Sequence, residues 1–310
     1  MRILLFGCTG FIGKELISGL LKKNHELFII SRKNFNTLKI NAQIDKIKFL
    51  KLDVTSEKNW LDENLINILK NSEGIINLIG EPIADKRWSK EQKKEIEQSR
   101  INTTLYLMKT LKKLNISPKV IINASAIGFY GTSLDKEFTE NNINGNDFLA
   151  QLCKRWEAAA LEKPFFTRLV ILRIGIVLGK DGGALGKMLP IFKVGLGGPI
   201  GDGNQWMSWI HKYDLCRLII DSIENKKYSG VFNAVAPEPV KMRDFSTILA
   251  KCLNRPNLFP VPSSSLKLLL GDGATLVLEG QRVVSTKLRK NLFKFKYPLL
   301  QNALSELTRK

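Results

Sequence analysis

The stretch Met1–Gly13, MRILLFGCTGFIG, decides the fold because it joins an apolar run to three spaced glycines. The run Ile3–Phe6 predicts a short buried strand, and the KELISGLLKK that follows predicts a helix. Gly7 permits a tight turn, Gly10 lets a ligand approach the backbone, and Gly13 lets the helix pack closely on the strand. The first turn of such a helix presents backbone N–H groups to an anion. The sequence therefore predicts a phosphate cradle, with contacts from Gly7, Thr9, Gly10, Phe11, Ile12 and Gly13.

A second apolar run, Leu27–Ile30, leads into Ser31 and Arg32, where a dinucleotide-binding fold places the residue that contacts the adenosine ribose. No Asp or Glu stands there to accept hydrogen bonds from both ribose hydroxyls. A hydroxyl followed by a guanidinium suits the 2′-phosphate of NADP(H) instead. The pattern predicts NADP(H) as the cofactor. The alternative is that Arg32 and Lys33 are solvated loop charges, which are common in a basic chain.

Strand-like apolar runs alternate with amphipathic stretches of helical length through the first part of the chain. The alternation predicts an α/β fold, a doubly wound parallel sheet of the Rossmann type, over residues 1–178. A Gly-rich and aromatic stretch follows Gly179, and its composition is too irregular for one long element. This stretch predicts a lid or a substrate loop. We expect residues 179–310 to form a smaller α+β substrate domain, with about 208–236 returning to the first domain.

Composition and charge restrict the class of protein. The 310 residues are 44% hydrophobic, enough for a sizeable core in two unequal lobes. The net charge of +19 is spread over nearly every segment, which predicts a solvated lysine surface and no specific nucleic-acid partner. No apolar stretch reaches the roughly 20 residues of a membrane span, and the first strand begins too early for a signal peptide. We therefore expect a cytoplasmic protein without membrane contact.

The cysteines and histidines predict neither a disulfide framework nor a metal site. The four cysteines lie far apart without a CxxC pair, and the chain has only two histidines. The cysteines are interpreted as core thiols.

Several longer motifs, in a fixed order, carry a family resemblance. They include GCTGFIG, NLIGEPIADKRW, FLAQLCKRWEAAA, LRIGIVLG and GLGGPIGDGNQWMSWIH. In them the chain resembles the extended short-chain dehydrogenase/reductases, and more closely the atypical branch called NAD-dependent epimerase/dehydratase, some members of which carry a cell-division-inhibitor label. The resemblance implies NADP contacts from Ser31, Arg32, Leu78, Ile79, Glu95, Arg100 and Val177.

Two further residues are candidates for cofactor contact by their position after a strand. Gly80 follows the fourth apolar run, where the backbone is expected to pass beside the bridging phosphates and the ribose. Asp53 follows the third run, and it either faces the adenine ring or caps the next helix.

The resemblance implies a hydride transfer that uses a Ser or Thr after the fifth strand and a Tyr-x-x-x-Lys pair on the next helix. Ser125 occupies the first position. Lys154 is the lysine in one alignment, which puts Ala150 at the tyrosine position. Aligning on WEAAA instead puts Cys153 at the lysine position and Leu149 at the tyrosine position. The catalytic phenol is missing in both alignments.

Tyr130, in SAIGFYG, is a candidate substitute for that phenol, and it is equally a candidate for a structural or ligand-contacting role. Arg87 and Trp88 are expected to bind an anion and a ring of the substrate, or else to form a packed loop corner. Trp209 and His211 are further pocket candidates, although a lone histidine beside an aromatic residue is more often packed than catalytic.

The sequence therefore predicts an NADP(H)-dependent oxidoreductase or epimerase-like enzyme that acts on a small hydroxylated or carbonyl compound. Ser125 would polarise the reacting oxygen, and Tyr130 or Lys154 would handle the proton. The alternative is an NADPH-binding regulatory protein without catalysis, and binding of a polyanion is a third, weaker reading. A homodimer is also compatible with the sequence.

Overall fold

The structure is a computed structural model that describes residues 1–38 and 43–309. Its strands are β1 (Arg2–Phe6), β2 (Glu26–Ser31), β3 (Ile47–Lys51), β4 (Gly74–Asn77), β5 (Val120–Ala126), β6 (Glu137–Phe138), β7 (Arg168–Ile174), β8 (Ile176–Leu178), β9 (Trp206–Met207), β10 (Trp209–His211), β11 (Gly230–Ala234), β12 (Val240–Lys241) and β13 (Arg282–Val283). Its α-helices are α1 (Gly13–Lys22), α2 (Glu63–Asn71), α3 (Lys90–Lys113), α4 (Phe148–Leu161), α5 (Gly183–Lys193), α6 (Lys212–Glu224), α7 (Met242–Leu253), α8 (Ser263–Leu270), α9 (Thr275–Leu278), α10 (Thr286–Lys290) and α11 (Leu300–Thr308).

The main sheet has the strand order β11-β7-β5-β4-β1-β2-β3. Every neighbouring pair in it is parallel. The chain moves from β1 outward through β2 to β3, and then returns to the other side of β1 with β4. In such sheets a ligand binds at the carboxyl ends of the strands where this reversal occurs. The doubly wound parallel sheet predicted from the sequence is confirmed.

Helices cover both faces of the sheet because its central strands are apolar on both sides. On one face Leu16 and Leu20 of α1 pack with Leu215 and Ile219 of α6 against β1 and β5. On the other face the buried leucines of α2 and α3 pack with Trp60.

The second core lies on the carboxyl-terminal side of the chain, where α5, α7 and α11 pack around Trp209 and Phe245. The Gly-rich stretch after Gly179, which the sequence indicates to be too irregular for one long element, contains the helix α5, the turns that follow it and the short strands β9 and β10. Leu185 and Leu189 are buried at helical spacing, and their packing outweighs the low helix propensity of the glycines and of the proline within α5.

Candidate functional site

The glycine loop between β1 and α1 contains glycines of two kinds. Gly7 has φ +74°, and a Cβ on it would lie 2.6 Å from the carbonyl carbon of Leu78. A Cβ on Gly13 would lie 1.6 Å from the carbonyl oxygen of Cys8. The packing of the chain itself therefore requires both of these glycines. A Cβ on Gly10 would meet only a backbone oxygen, at 3.6 Å, so the space beside Gly10 remains available to a ligand.

The first turn of α1 also favours an anion at this loop. The residue before the helix, Ile12, supplies no side-chain hydrogen bond to the first turn. Early N–H groups of a helix need a partner, and phosphate oxygens provide one. The residues present therefore fit a pyrophosphate.

The end of β2 is tied to this loop by hydroxyl groups. Ser31 Oγ donates to Thr9 Oγ1 at 3.4 Å and accepts from the backbone N–H of Lys33 at 3.1 Å. Arg32 lies beside them with an exposed side chain. A hydroxyl and a guanidinium thus stand together at the position where the ribose is expected.

A buried asparagine positions the backbone after β4. Asn77 Nδ2 donates to Asn123 Oδ1 at 2.8 Å, and Asn77 Oδ1 accepts from the N–H of Ile79 at 3.3 Å. The N–H of Leu78 donates to the carbonyl of Phe6 at the end of β1. Our sequence reading missed Asn77, although a polar residue at the end of an apolar strand was a visible signal.

Arg100 holds the next part of the same loop. Its guanidinium donates to the carbonyl of Glu81 at 3.0 Å and lies 5.4 Å from the ring of Trp156. A Cβ on Gly80 would lie 2.8 Å from Cζ of the Arg100 guanidinium. Burial lowers the pKa of Arg100 to about 10. In this structure Arg100 therefore holds the loop that carries Gly80 and Glu81.

Glu95 and Asp53, the two acidic residues predicted to contact the cofactor, have partners within the protein. Glu95 pairs with Lys86 at 3.6 Å, and its side chain is 58% exposed. Asp53 Oδ1 accepts from the N–H of Thr55 at 3.1 Å and from its hydroxyl at 2.7 Å, so it stabilises a local turn. The following helix α2 is capped by Asp62 instead. The expectation that Asp53 caps the next helix is therefore wrong.

Phe11 connects the glycine loop to the segment that follows β8. Its ring lies so close that a Cβ on Gly179 or Gly182 would approach it to 2.8 or 2.7 Å. Lys212 Nζ lies 4.8 Å from the centre of the same ring. Val177 is fixed beside this segment by the pairing of β8 with β10.

The predicted catalytic Ser125 and Tyr130 belong to one buried polar network. Ser125 Oγ donates to Glu157 Oε1 at 2.7 Å. Arg173 donates to both oxygens of Glu157 at 2.8 Å and to the Tyr130 hydroxyl at 2.9 Å. The Tyr130 hydroxyl in turn donates to Asn233 Oδ1 at 2.7 Å. Ser125 and Tyr130 are each only 3% exposed, and burial raises the pKa of Tyr130. The hydroxyl protons of both side chains are thus bound inside the protein.

Lys154 lies elsewhere, and its predicted catalytic role is corrected. It is exposed on α4, whereas Cys153 and Glu157 are buried on the side of that helix that faces β5. Leu149 lies one turn before Cys153, with its Cβ 3.3 Å from the position of a Cβ on Gly128, and Ala150 beside it is fully buried. The structure therefore matches the alignment on WEAAA. Burial raises the pKa of Cys153 to about 12, so this thiol carries no charge that could replace a lysine.

The loop after β4 meets the carboxyl-terminal segment. A Cβ on Gly271 would lie 2.9 Å from Arg87 Nε, and a Cβ on Gly273 would lie 3.2 Å from Trp88 Cδ1. The Trp88 indole N–H donates to the carbonyl of Ile83 at 2.7 Å. Arg87 is exposed and Trp88 is buried, and together they form a wall against the carboxyl-terminal segment.

Trp209 and His211 are core residues, which corrects their assignment to the substrate pocket. Trp209 has no exposed surface. The His211 ring lies 4.1 Å from the ring of Tyr297, and its Nε2 is 3.2 Å from Glu306 Oε2. His211 Nδ1 accepts from the N–H of Tyr213 at 3.1 Å and so caps α6. Both ring nitrogens of His211 therefore have partners within the protein.

We expect the free energy of unfolding to fall as the pH is lowered from 7.5 to 5.5, partly because of His211. Burial lowers the pKa of His211 below its usual value, so protonation favours the unfolded chain. At pH values above the pKa of histidine in the unfolded chain, about 6.5, the neutral ring of His211 stabilises α6. That stabilisation is lost as the pH falls from about 6.5 toward the lower pKa of His211 in the folded protein. His211→Asn keeps a capping acceptor that does not titrate. Urea unfolding of this variant should depend less on pH than that of the wild type, and equal dependence would contradict the assignment.

Neither a metal-binding cluster nor a membrane-spanning helix is found among the described residues. Among residues 1–38 and 43–309, no three His, Cys, Asp or Glu side chains come together in a way that could hold a metal ion. In the same ranges, none of the helices combines the length and the apolar character needed to cross a membrane.

Comparison with known proteins identifies the relatives of this chain. The sequence model of the NAD dependent epimerase/dehydratase family matches residues 3–234, and that of a domain of unknown function matches residues 261–307. The epimerase family protein SDR39U1 homolog, chloroplastic, of Arabidopsis thaliana is 40% identical over 98% of this chain and 86% of its own length. The epimerase family protein YfhF of Bacillus subtilis is 36% identical over 99% of this chain and 98% of its own.

A solved structure shares the whole architecture. The crystal structure of human epimerase family protein SDR39U1 with NADPH has a TM-score of 0.87 and 33% identity, covering 99% of each chain. The resemblance to the extended short-chain dehydrogenase/reductases is thus confirmed along the full chain. The protein belongs to the NAD-dependent epimerase/dehydratase family.

Proposed function

We propose that this protein binds NADP(H) at the carboxyl ends of β1, β2 and β4. The observation that carries the proposal is the space beside Gly10, which the packing of the chain leaves free, in front of the uncapped start of α1. The pyrophosphate would be held there by backbone N–H groups. The human relative at 33% identity was crystallised with NADPH, which supports the same cofactor here.

Ser31 and Arg32 would distinguish NADP(H) from NAD(H). A guanidinium binds a phosphate through paired, charge-assisted hydrogen bonds, whereas a ribose hydroxyl needs an acceptor that Arg32 does not offer. Thr9 keeps the Ser31 hydroxyl next to the glycine loop. The 2′-phosphate would therefore lie between the end of β2 and that loop.

We expect NADPH to bind more tightly than NADH, and Arg32→Ala to weaken the binding of NADPH about tenfold, since a hydrogen bond to a charged group contributes about 1.5–3 kcal/mol. Titration of cofactor fluorescence measures both affinities. Lys33→Ala removes the same charge from the adjacent position and is the matched control. NADH binding as tight as NADPH binding, or an equal loss in the control, would refute the assignment of Arg32.

A second candidate function is hydride exchange with a small hydroxylated or carbonyl compound. Bound NADPH supplies a hydride, and the wall formed by Arg87 and Trp88 against the carboxyl-terminal segment favours a small-molecule site beside it. No residue described on α4 offers the phenol of typical members, since Leu149 stands at that position. The proton of such a reaction would come from water or from the bound compound.

The same fluorescence titration separates an enzyme from a cofactor-binding regulator. After NADPH is bound, a panel of aldehydes, ketones and sugars is added and the fluorescence is followed. Steady fluorescence supports a regulatory protein, and loss of fluorescence that requires one compound identifies an oxidoreductase and its substrate.

A further inference from the structure

A groove lies outside the cofactor site, between the edge strand β11 and helix α10. It has a volume of about 390 Å³, within the range of about 300–1,000 Å³ usual for ligand pockets. Its floor is formed by the buried side chains of Val235, Val284, Leu288 and Phe293. We call this feature the α10 groove. None of its residues belongs to the glycine loop, and it meets the buried network around Glu157 only at Val284, whose carbonyl accepts from Asn233 Nδ2 at 2.8 Å.

The rim of the α10 groove is positively charged. Arg289 and Lys294 line it, and neither forms an ion pair with another residue of the described part of the chain. Residues 280–305 contain no Asp or Glu. The same stretch carries the basic residues Arg282, Lys287, Arg289, Lys290, Lys294 and Lys296. The carboxylate of Glu140 accepts hydrogen bonds from Ser285 and Thr286 at the start of α10, but it is buried and pairs with neither cation. An apolar floor below two unpaired cations is complementary to a molecule with an anionic head and an apolar tail.

Leu292 lies at the carboxyl end of α10 and borders the groove. It lines the groove, its side chain is 80% exposed, and its backbone has φ +53°. The other non-glycine residues with positive φ in the described ranges are Asn24, Gln43, Asn115 and Asn254. Amides tolerate this conformation, whereas a branched aliphatic side chain is strained in it. This conformation closes α10, since the N–H groups of Leu292 and Phe293 donate to the carbonyls of Arg289 and Leu288. The exposed side chain of Leu292 contributes nothing to the core and is free to contact a ligand in the groove.

We propose that the α10 groove binds a small amphipathic anion, with its apolar tail on the floor and its carboxylate or phosphate head at Arg289 and Lys294. Leu292 covers the exposed side of the tail. The site is separate from the NADP(H) cradle, and the proposal does not depend on the proposed function. An apolar ligand without a charge would leave both cations unused, so the head group should contribute much of the affinity.

Calorimetric titration of the full chain with decanoate, decyl phosphate and decanol, all below their aggregation limits, tests the site. We expect one decanoate or decyl phosphate per chain, and at least fivefold weaker binding of decanol. The tighter of the two anions identifies the head group. Absence of saturable binding, or decanol binding as tight as that of both anions, overturns the proposal.

Charge variants locate the ligand. The double variant Arg289→Gln with Lys294→Gln should weaken decanoate binding at least fivefold. Lys290→Gln removes a charge from the same helix at a position that does not line the groove, and it should leave the affinity unchanged. Saturating NADPH should also leave it unchanged. Competition by NADPH, or an equal loss in Lys290→Gln, overturns the proposal because the anion then binds elsewhere.

Leu292→Gly separates binding from folding. Glycine adopts positive φ without strain, so the melting temperature of the variant should equal or exceed that of the wild type. Decanoate affinity should nevertheless fall at least threefold, because the cover of the tail is lost. Unchanged affinity in this variant shows that Leu292 does not touch the ligand and overturns its role.

Discussion

Gly10→Ala is expected to weaken NADPH binding at least tenfold, which corresponds to about 1.4 kcal/mol, while the fold remains intact. The added methyl group meets only a backbone oxygen at 3.6 Å, an ordinary contact distance, so the chain itself can accept it. A pyrophosphate held by the first turn of α1 would occupy the same space. The variant should therefore lose the ligand and keep its melting temperature within a few degrees, as expected for a change below about 0.5 kcal/mol.

Gly13→Ala is the matched comparison, because it adds the same methyl group three residues later. There a Cβ would lie 1.6 Å from the carbonyl oxygen of Cys8, so the helix must move away from β1. We expect this variant to unfold at a clearly lower temperature or to fail to fold. Fluorescence titration and thermal melting of the two variants decide between the two roles. If Gly10→Ala retained full NADPH affinity, the cradle would have to lie elsewhere.

The parts of the fold that were predictable have local causes. The strand β1 ends at Phe6, before the turn that Gly7 marks, and the helix α1 begins at Gly13, as the first residues of the chain predicted. Helix α5 was not predicted, since glycines and Pro190 argue against a helix and only packing on the second core compensates for them. The sequence contained no sign of that packing.

The catalytic residues were harder to predict because their roles depend on helix phase. Consecutive residues on a helix point about 100° apart, so a one-residue change of alignment exchanges exposed Lys154 for buried Cys153. Spacing alone could not choose between the two alignments. The partnership of Glu157 with Arg173 was equally hidden, since it forms only when α4 packs across the sheet.

The buried ion pair of Glu157 and Arg173 is expected to contribute strongly to stability. Replacing Glu157 by Gln, or Arg173 by Met, is expected to lower the free energy of unfolding by about 3–5 kcal/mol, the usual cost of leaving one charge of a buried pair without its partner. The two side chains are 8% and 6% exposed, so water cannot compensate for the missing charge. Ser125 and Tyr130 are linked to the same pair and would lose part of their hydrogen bonding as well. Urea unfolding at pH 7.5 measures both losses.

A double-mutant cycle distinguishes this pair from ordinary core packing. With both changes combined, neither charge remains, so the total loss should be well below the sum of the single losses. Additive losses would show that the contribution of the two residues is not electrostatic.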